Sequence, residues 1–229
     1  MQQAYWIKSS QSWTCPKAGA WKIVCVGGGA SGGVTFHANV SALQSAGGTT
    51  SFGSLLSAPG GAVETCCPTG GTKSCGGYGG YDGMNYDGTP MIAQRINTSE
   101  NTTAFLSSAS GNGGVLGSPG LGYGAGGGVG EVWQISVKNS SNNIVKATAS
   151  AVPGKCGGMA AGIYDLALNQ SVSCTVGTSA KPTINASTLI QQYQKFGSSI
   201  TEIADAAAAQ VAAAVAAGTA GVIYIEFLG

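Results

Sequence analysis

The stretch GNGGVLGSPGLGYGAGGGVG, residues 111–130, decides how the rest of the chain is interpreted. Eleven of its twenty residues are glycine, and ordering glycine takes more backbone entropy than ordering any other residue. The run is therefore either a flexible linker or a segment in which the absence of side chains is needed for packing. Flexible linkers normally lack large apolar residues, whereas this run carries Val115, Leu116, Leu121, Tyr123 and Val129.

Shorter glycine clusters recur along the chain outside this run. They stand at Gly27-Gly28-Gly29, Gly32-Gly33, Gly47-Gly48, Gly60-Gly61, Gly70-Gly71, Gly76-Gly77, Gly79-Gly80 and Gly157-Gly158. Because a backbone without Cβ atoms can approach another backbone closely, we interpret the set as glycine segments that pack against each other in one body. The alternative is a set of separate mobile loops.

The composition of the 229-residue chain limits its function classes. Glycine contributes 39 residues and charged residues only 8%, against typical values of about 7% for glycine and about 25% for charged residues. With 43% hydrophobic residues and a net charge of +1, the chain lacks the signature of disorder. No two basic residues are adjacent, so we expect no nucleic-acid partner, because phosphate binding needs clustered Lys and Arg. The low charge suits a protein that works assembled with others.

The sequence predicts a single domain over residues 1–229, since no linker divides it. No run of about 18 apolar residues occurs, so we expect no membrane insertion. The start of the chain has no basic region followed by an apolar run, and we expect no signal peptide.

Two apolar strands frame this domain. Residues 13–15 and 21–26 predict a hairpin whose second strand alternates between two faces and runs directly into a glycine cluster. Residues 222–227 are almost wholly apolar, which predicts a closing strand that is buried on both faces. We therefore expect residues 21–26 and 222–227 to lie in the same sheet or sandwich core.

The remaining patterns also predict mainly β structure, in a glycine-rich, β-sandwich-like body. Further strands are expected at residues 35–43, 50–58, 91–96, 102–106, 131–137, 144–152, 163–168 and 171–176. The last two are separated only by Asn169-Gln170, the pattern of a strand, a two-residue turn and a strand.

One late, alanine-rich helix is predicted at residues 199–217, as an insertion before the closing strand. Ser199-x-x-Glu202 matches a capping box, and Gly218 would end the helix. Its apolar stripe has no obvious helical partner elsewhere in the chain, so we expect it to contact other copies of the protein. The residues of this expected contact are Ile203, Ala207, Val211 and Val215.

The sequence offers little support for catalysis, a cofactor or a metal. His37 is the only histidine and has no acidic neighbour, so neither a catalytic triad nor a histidine-based metal site is expected. Gly27-x-Gly29-x-x-Gly32 fits a dinucleotide fingerprint in form, but β-branched residues and more glycine follow it instead of a helix. We expect no enzymatic activity.

The seven cysteines are irregularly spaced and match no zinc pattern: Cys15, Cys25, Cys66, Cys67, Cys75, Cys156 and Cys174. We interpret them as small buried hydrophobic residues, and disulfide bonds are the alternative.

The loop GGYGGYDGMNYDG, residues 76–88, is the candidate binding surface. Tyrosine offers a flat apolar ring and a hydroxyl at low entropic cost, while glycine and asparagine give adaptable hydrogen bonds. This composition suits recognition of a glycan or an outer-surface protein, and the alternative is a row of tyrosines packed on glycine segments. The acidic residues lack the spacing of a calcium loop. The candidate residues are Tyr78, Tyr81, Asp82, Asn85, Tyr86 and Asp87.

The opening QSWTCPKAGAWKIVCVGGGASGG, residues 11–33, resembles the glycine-rich domain of bacteriophage tail-fibre and tail-tip proteins. In that family a Trp-Thr-x-Pro-x-Gly turn leads into a valine-rich strand and a glycine cluster; here Gly19 comes one place later. Further similar stretches are TTSFG (49–53), YGAGGG (123–128), YDLALNQSVSCTVG (164–177) and AGTAGVIYIEF (217–227). The alanine-rich helix and the cysteine-rich loop are not features of the family.

A more distant resemblance is to the adhesins that cap the long tail fibres of T-even phages, in which glycine-rich segments stack as polyglycine II helices. The two resemblances imply a phage tail-tip or tail-fibre receptor-binding protein with polyglycine II-type segments, made in the host cytoplasm and located in the virion tail. Its partners would be a bacterial surface receptor and other tail proteins, and because such fibres are commonly trimeric, three copies are implied. A purely structural virion protein is the alternative.

Overall fold

The protein is described by a computed structural model, which covers residues 3–36, 43–61, 72–74, 94–97, 103–106, 122–127, 134–152, 154, 156–179, 181–195, 199–213 and 215–229. This part of the chain is mainly β, as predicted, with antiparallel sheets and two helices. The strands are β1 (Ala4–Ile7), β2 (Gln11–Thr14), β3 (Gly19–Val26), β4 (Gly33–Phe36), β5 (Thr50–Phe52), β6 (Leu56–Ala58), β7 (Thr72–Ser74), β8 (Gln94–Asn97), β9 (Thr103–Leu106), β10 (Gln134–Asn139), β11 (Ile144–Val152), β12 (Met159–Leu166), β13 (Ser171–Thr175), β14 (Ile200–Ile203) and β15 (Val222–Phe227). The helices are α1 (Ala186–Lys195) and α2 (Asp205–Ala213).

Two of the sheets pack face to face as a sandwich. The first has the order β1-β15-β3-β12-β7 and the second the order β2-β13-β5-β6. The buried side chains between them form one cluster to which both sheets contribute. At its centre the Trp13 ring, from the second sheet, lies 5.4 Å from the Trp21 ring of the first and 5.8 Å from the Phe52 ring of its own.

The two strands that frame the chain are hydrogen-bonded neighbours, which confirms that prediction. β15 pairs antiparallel with β3, and Val222 lies opposite Val26. Alternate residues of β3 do enter two different clusters, with Ile23 in the sandwich core and Val24 on the outer face of the sheet. Both faces of β15 are covered, since its first four residues are 3% exposed or less.

The predicted hairpins are wrong, although their strands exist. β2 pairs with β13, whereas β3 pairs with β15 and β12, so the two strands lie in different sheets. β12 and β13 are likewise consecutive strands in opposite sheets. The predicted strand at residues 50–58 is two strands, β5 and β6, joined by a turn in which Gly53 has a φ of 53°. In each case a tight turn carries the chain across the sandwich or back on itself.

A third sheet, of order β14-β10-β11-β4, packs on both helices to form a separate part of the molecule, here named the distal unit. Its core consists of buried side chains from β10, β14 and both helices, together with Val215. β8 and β9 form a further two-stranded pair.

The predicted helix at residues 199–217 is too long and begins too early. Residues Ile200–Ile203 form β14 instead, because pairing with β10 satisfies their backbone and buries both Ile200 and Ile203. Glu202 faces Lys138 across this pair, with 2.8 Å between the charged atoms. The helix proper begins at Asp205, an acidic residue that suits a helix N-terminus.

A second helix, α1, was not predicted. The side chain of Asn185 accepts a hydrogen bond from the Thr188 backbone nitrogen at 3.0 Å, while the Thr188 hydroxyl is 3.0 Å from the Asn185 nitrogen. This reciprocal arrangement is a capping box. Leu189 and Tyr193, four residues apart, bury the inner face of the helix.

The presence of α1 removes the basis for an intermolecular contact through α2. Ile203, Val211 and Val215 are 3% exposed or less, and they pack with α1 and β10 in the core of the distal unit. Ala207 is half-buried against the same core. The premise that the chain contains no helical partner for this stripe is therefore wrong.

Val211→Asp is expected to destabilise the distal unit rather than to separate copies of the protein. The change would place an unpaired carboxylate in an apolar core, and we expect a loss of at least ~3 kcal/mol of unfolding free energy. The matched control is Gln210→Asp, which adds the same charge at the exposed neighbouring position and should change stability by no more than ~0.5 kcal/mol. Equal thermal transitions for both variants, followed by circular dichroism, would contradict the packing described.

Candidate functional site

Seven glycine-rich segments of the described chain come together between the sandwich and the distal unit. They are bonded to each other through their backbones and lie outside the strands and helices. We name this assembly the glycine lattice, and its segments are residues 27–32, 45–48, 59–61, 124–127, 154–158 without 155, 177–179 and 216–221. Of the predicted run 111–130, only residues 122–127 are described.

Residues 27–32 are the central segment of the lattice, because five other segments bond to it. The Gly28 nitrogen donates to the Gly48 oxygen and the Gly29 nitrogen donates to the Thr219 oxygen, both at 2.9 Å. The Ala30 oxygen in turn accepts from the Gly127 nitrogen at 2.8 Å. Further bonds join the segment to residues 61 and 158. Neighbouring segments thus satisfy backbone groups that strands or helices would otherwise satisfy internally.

Glycine is required in the lattice because the segments approach too closely for side chains. A Cβ atom on Gly127 would lie 2.7 Å from the Gly32 nitrogen and closer still to the Ala216 oxygen. At Gly47 and Gly29 a Cβ would likewise collide with backbone of a neighbouring segment. Backbone cannot rotate away as a side chain can, so the interpretation of the glycine clusters as packed segments is confirmed for these positions.

The chain crosses the lattice repeatedly between the sandwich and the distal unit. Residues 27–32 leave β3 and enter β4, and residues 45–48 return beside them to β5. Residues 177–179 leave β13 for the distal unit, and residues 216–221 return from it to β15. The lattice is therefore a spacer made of several chain crossings, with the sandwich on one side and the distal unit on the other.

The end formed by the distal unit projects a rigid hairpin tip between β10 and β11. The Asn139 nitrogen donates to the Asn143 oxygen at 3.0 Å, and Asn142 adopts a φ of 62°. The side-chain oxygen of Asn139 accepts from the nitrogens of Ser141 and Asn143, at 3.0 Å each. The Ser140 nitrogen donates to the Ser199 oxygen at 3.0 Å. These bonds fix the tip in one shape.

The hairpin tip combines polar amides with exposed aliphatic residues. Ile144 is 73% exposed and Val145 is 38% exposed, just after the turn. By register Ile144 lies opposite Lys138, whose ammonium group is paired with Glu202 at 2.8 Å. A preorganised tip with an aliphatic residue and neutralised charges is suited to binding rather than to proton transfer.

The opposite end, at the far side of the sandwich, exposes leucine side chains. Leu55, Leu168 and Leu228 are 37%, 57% and 48% exposed, in three separate turns or chain ends. Leu168 lies two residues after the end of β12, and the Leu228 nitrogen donates to the Ala20 oxygen at 2.8 Å, near the start of β3. We name this surface the sandwich end.

Comparison of the chain with family models, with curated proteins and with solved structures finds no match. Among the described residues, no helix is both long and apolar enough to cross a membrane.

The described residues provide no obvious reactive centre. None of them form a group of three or more His, Cys, Asp or Glu side chains that could hold a metal ion. Cys15, Cys25 and Cys174 are free thiols, and these three residues and Cys156 are all buried, which confirms their interpretation as small hydrophobic residues. Burial raises the pKa of Cys174 to about 11. Burial, together with the neighbouring Cys174, also raises the pKa of Cys25. These thiols are poor nucleophiles at neutral pH because so little thiolate is present.

Several residues singled out from the sequence lie outside the described part of the chain. They include His37, Cys66, Cys67, Cys75 and all six candidates of the tyrosine-rich loop, namely Tyr78, Tyr81, Asp82, Asn85, Tyr86 and Asp87. Tyr123 is described, and its ring stacks on Trp6 at 5.9 Å, on the outer face of the five-stranded sheet.

The hairpin tip was not among the candidates from the sequence. Its signal was the segment Asn139-Ser140-Ser141-Asn142-Asn143 between two alternating stretches, a composition typical of turns. The tip is a candidate contact because two exposed aliphatic side chains, Ile144 and Val145, stand beside the adaptable hydrogen-bonding groups of this turn.

Proposed function

We propose that this chain is a receptor-binding protein of a bacteriophage tail tip or tail fibre, without enzymatic activity. The observation that carries the proposal is the glycine lattice, which holds a polar hairpin tip at one end of the molecule and an apolar surface at the other. A spacer between two contact surfaces is what an attachment protein needs. The segments quoted above that resemble phage tail proteins point to the same function.

The lattice supports the finer part of this proposal, that its segments are of polyglycine II type. Polyproline II-like backbone makes no hydrogen bonds within its own segment. The lattice segments bond laterally instead, as the bonds from Gly28 to Gly48 and from Gly127 to Ala30 illustrate. Collisions with any added Cβ atom are also what close lateral stacking of such helices requires.

The end formed by the distal unit is the proposed host-facing side. Its turn of asparagine and serine offers adaptable hydrogen bonds, and Ile144 offers apolar contact area. The tyrosine-rich loop at residues 76–88 remains a proposed second part of the receptor surface, on its composition alone. The receptor would be a glycan or an outer-surface protein of the bacterial host.

The proposed location is the virion tail, where the chain would also contact other tail proteins, and the family resemblance suggests three copies. Synthesis in the host cytoplasm agrees with the three buried free thiols of Cys15, Cys25 and Cys174, since a reducing compartment keeps thiols reduced.

Binding of purified, fluorescently labelled protein to a panel of bacterial strains, measured by flow cytometry, tests the proposal. We expect binding to at least one strain. Ile144→Ser, and separately the triple change Tyr78→Ser, Tyr81→Ser and Tyr86→Ser, should each weaken it at least ~10-fold, as for residues central to an interface.

Ser173→Ala is the control for this experiment, because Ser173 is exposed on β13 in the sandwich, away from the host-facing end. It should bind as the unchanged protein does. A chain that binds no strain, or whose binding none of these changes affects, contradicts the proposal and favours the purely structural virion protein.

A further inference from the structure

We propose that copies of this chain associate through the sandwich end, with Leu55, Leu168 and Leu228 at the centre of the contact. The inference rests on the part of the proposed function that has copies of the chain assemble. It assigns that assembly to a surface at the opposite side of the molecule from the helix stripe that the sequence suggested.

The three leucines come from different parts of the chain but reach the same end. β3 begins and β12 ends there, since Gly19 lies opposite Leu166, and β15 ends there opposite Trp21. Leu228 follows β15, and Leu168 lies in the turn after β12. Leu55 lies in the β5–β6 turn, where its carbonyl oxygen accepts a hydrogen bond from the Tyr164 hydroxyl at 3.0 Å.

Leucine is unusual at such positions, because surface turns are normally built from glycine, proline, asparagine, aspartate and serine. A single exposed leucine needs no explanation, but apolar residues gathered at one end of a molecule mark a contact with another protein. The lattice lies at the other end of these strands, as β3 runs directly into residue 27 and residue 221 runs directly into β15. The three leucines therefore lie at the end of the sandwich that faces away from the glycine lattice.

The charges around the sandwich end favour a second copy of the chain over a strongly charged partner. Lys17 and Lys22 lie at or near this end, and so do Asp165 and Glu226, which gives two residues of each sign. Lys22 and Glu226 face each other across β3 and β15. A surface with equal numbers of both signs can be complementary to itself, whereas a nucleic acid or an acidic protein would need a basic surface. The net charge of +1 leaves little repulsion between copies.

The Phe227 ring packs beneath the sandwich end and makes this surface rigid. The Lys17 ammonium group lies 4.4 Å from the centre of the Phe227 ring, and that ring is 4.9 Å from Trp21 in the sandwich core. The Trp21 indole nitrogen donates to the Lys17 oxygen at 3.0 Å. A preformed surface loses less entropy on association than a mobile one.

Size-exclusion chromatography with multi-angle light scattering tests the inference on the full chain. The unchanged protein is expected to show a mass above that of one chain at micromolar concentration. The double variant Leu168→Ser, Leu228→Ser should weaken association at least ~10-fold, as expected for two central interface residues. Because both positions are exposed, its thermal transition should match that of the unchanged protein.

Ile144→Ser is the matched control, since it removes an exposed aliphatic side chain at the opposite end, and it should leave the mass unchanged. A chain that is monomeric at micromolar concentration, or that dissociates with Ile144→Ser but not with the double variant, overturns the inference. Host binding is measured separately. A monomeric protein that still binds bacterial cells would therefore contradict this inference and leave the proposed function supported.

Discussion

Gly127→Val protein is expected to fail to fold, because the valine carbons would occupy the space of two neighbouring backbones. The Cβ position lies 2.7 Å from the Gly32 nitrogen and closer to the Ala216 oxygen. Ordinary overpacking of a core destabilises by about 1–3 kcal/mol, since side chains can shift. Here the obstacles are peptide groups whose hydrogen bonds join three segments, including the bond from the Gly32 nitrogen to the Ala216 oxygen. The loss should therefore approach the whole stability of a typical domain, about 5–15 kcal/mol.

The measurement is soluble yield together with thermal unfolding followed by circular dichroism. Gly53→Asn is the control, because Gly53 lies in an exposed turn with a φ of 53°, a conformation that asparagine tolerates. The nearest atom to its Cβ position is a side-chain carbon of Val172 at 3.1 Å. A Gly127→Val protein that melts like the unchanged chain would show residues 124–127 to be an open loop.

Removal of residues 221–229 is expected to abolish cooperative folding. This deletion takes away β15, which lies between β1 and β3 in the larger sheet of the sandwich. Val222, Ile223, Tyr224 and Ile225 are each 3% exposed or less. Burial of a large apolar side chain contributes about 1.5–3 kcal/mol, so their combined contribution is comparable to the entire stability of a domain.

Removal of residues 228–229 alone is the control for this truncation. It keeps β15 and removes two backbone hydrogen bonds, from the Ala20 nitrogen to the Gly229 oxygen and from the Leu228 nitrogen to the Ala20 oxygen. A cooperative transition should therefore persist, at a lower temperature. Retention of a cooperative transition in the longer truncation would contradict the central position of β15.

The strands were predictable where burial alone determines them. Residues 222–227 are apolar on both faces, and only a strand covered on both sides suits such a segment. The partners of the strands were less predictable. Sequence neighbours such as β12 and β13 look like a hairpin, but their turn carries the chain from one sheet to the other. That choice depends on Trp13, Trp21 and Phe52 meeting in one core, which no local pattern encodes.

The helical region was mispredicted because tertiary pairing outweighed a local signal. Ser199 and Glu202 match a capping box, yet residues Ile200–Ile203 gain more by pairing with β10 and burying two isoleucines. The capping box that does form, at Asn185 and Thr188, begins α1. Without α1, the apolar stripe of α2 has no partner within the chain, and for this reason the local pattern predicts an intermolecular contact; in the fold, α1 and β10 cover the stripe.

The glycine lattice was predictable from the sequence, whereas the hairpin tip and the sandwich end were not. Glycine clusters such as Gly27-Gly28-Gly29 indicated close backbone packing from composition alone. Their exact partners, for example Thr219 opposite Gly29, are far apart in sequence and leave no local trace. The hairpin tip and the sandwich end depend on which side of each turn faces solvent, and this follows only from the assembled sheets.

Amide hydrogen exchange of the lattice glycines tests the central claim most directly, that the glycine segments form one packed body. The amides of Gly28, Gly29, Gly127 and Gly157 each donate to a carbonyl of another segment. We expect them to exchange at least ~1,000-fold more slowly than unprotected amides, since opening them requires large-scale unfolding. Exchange of the four lattice amides at the rate of unprotected peptide would contradict the account, because the glycine clusters would then be separate mobile loops.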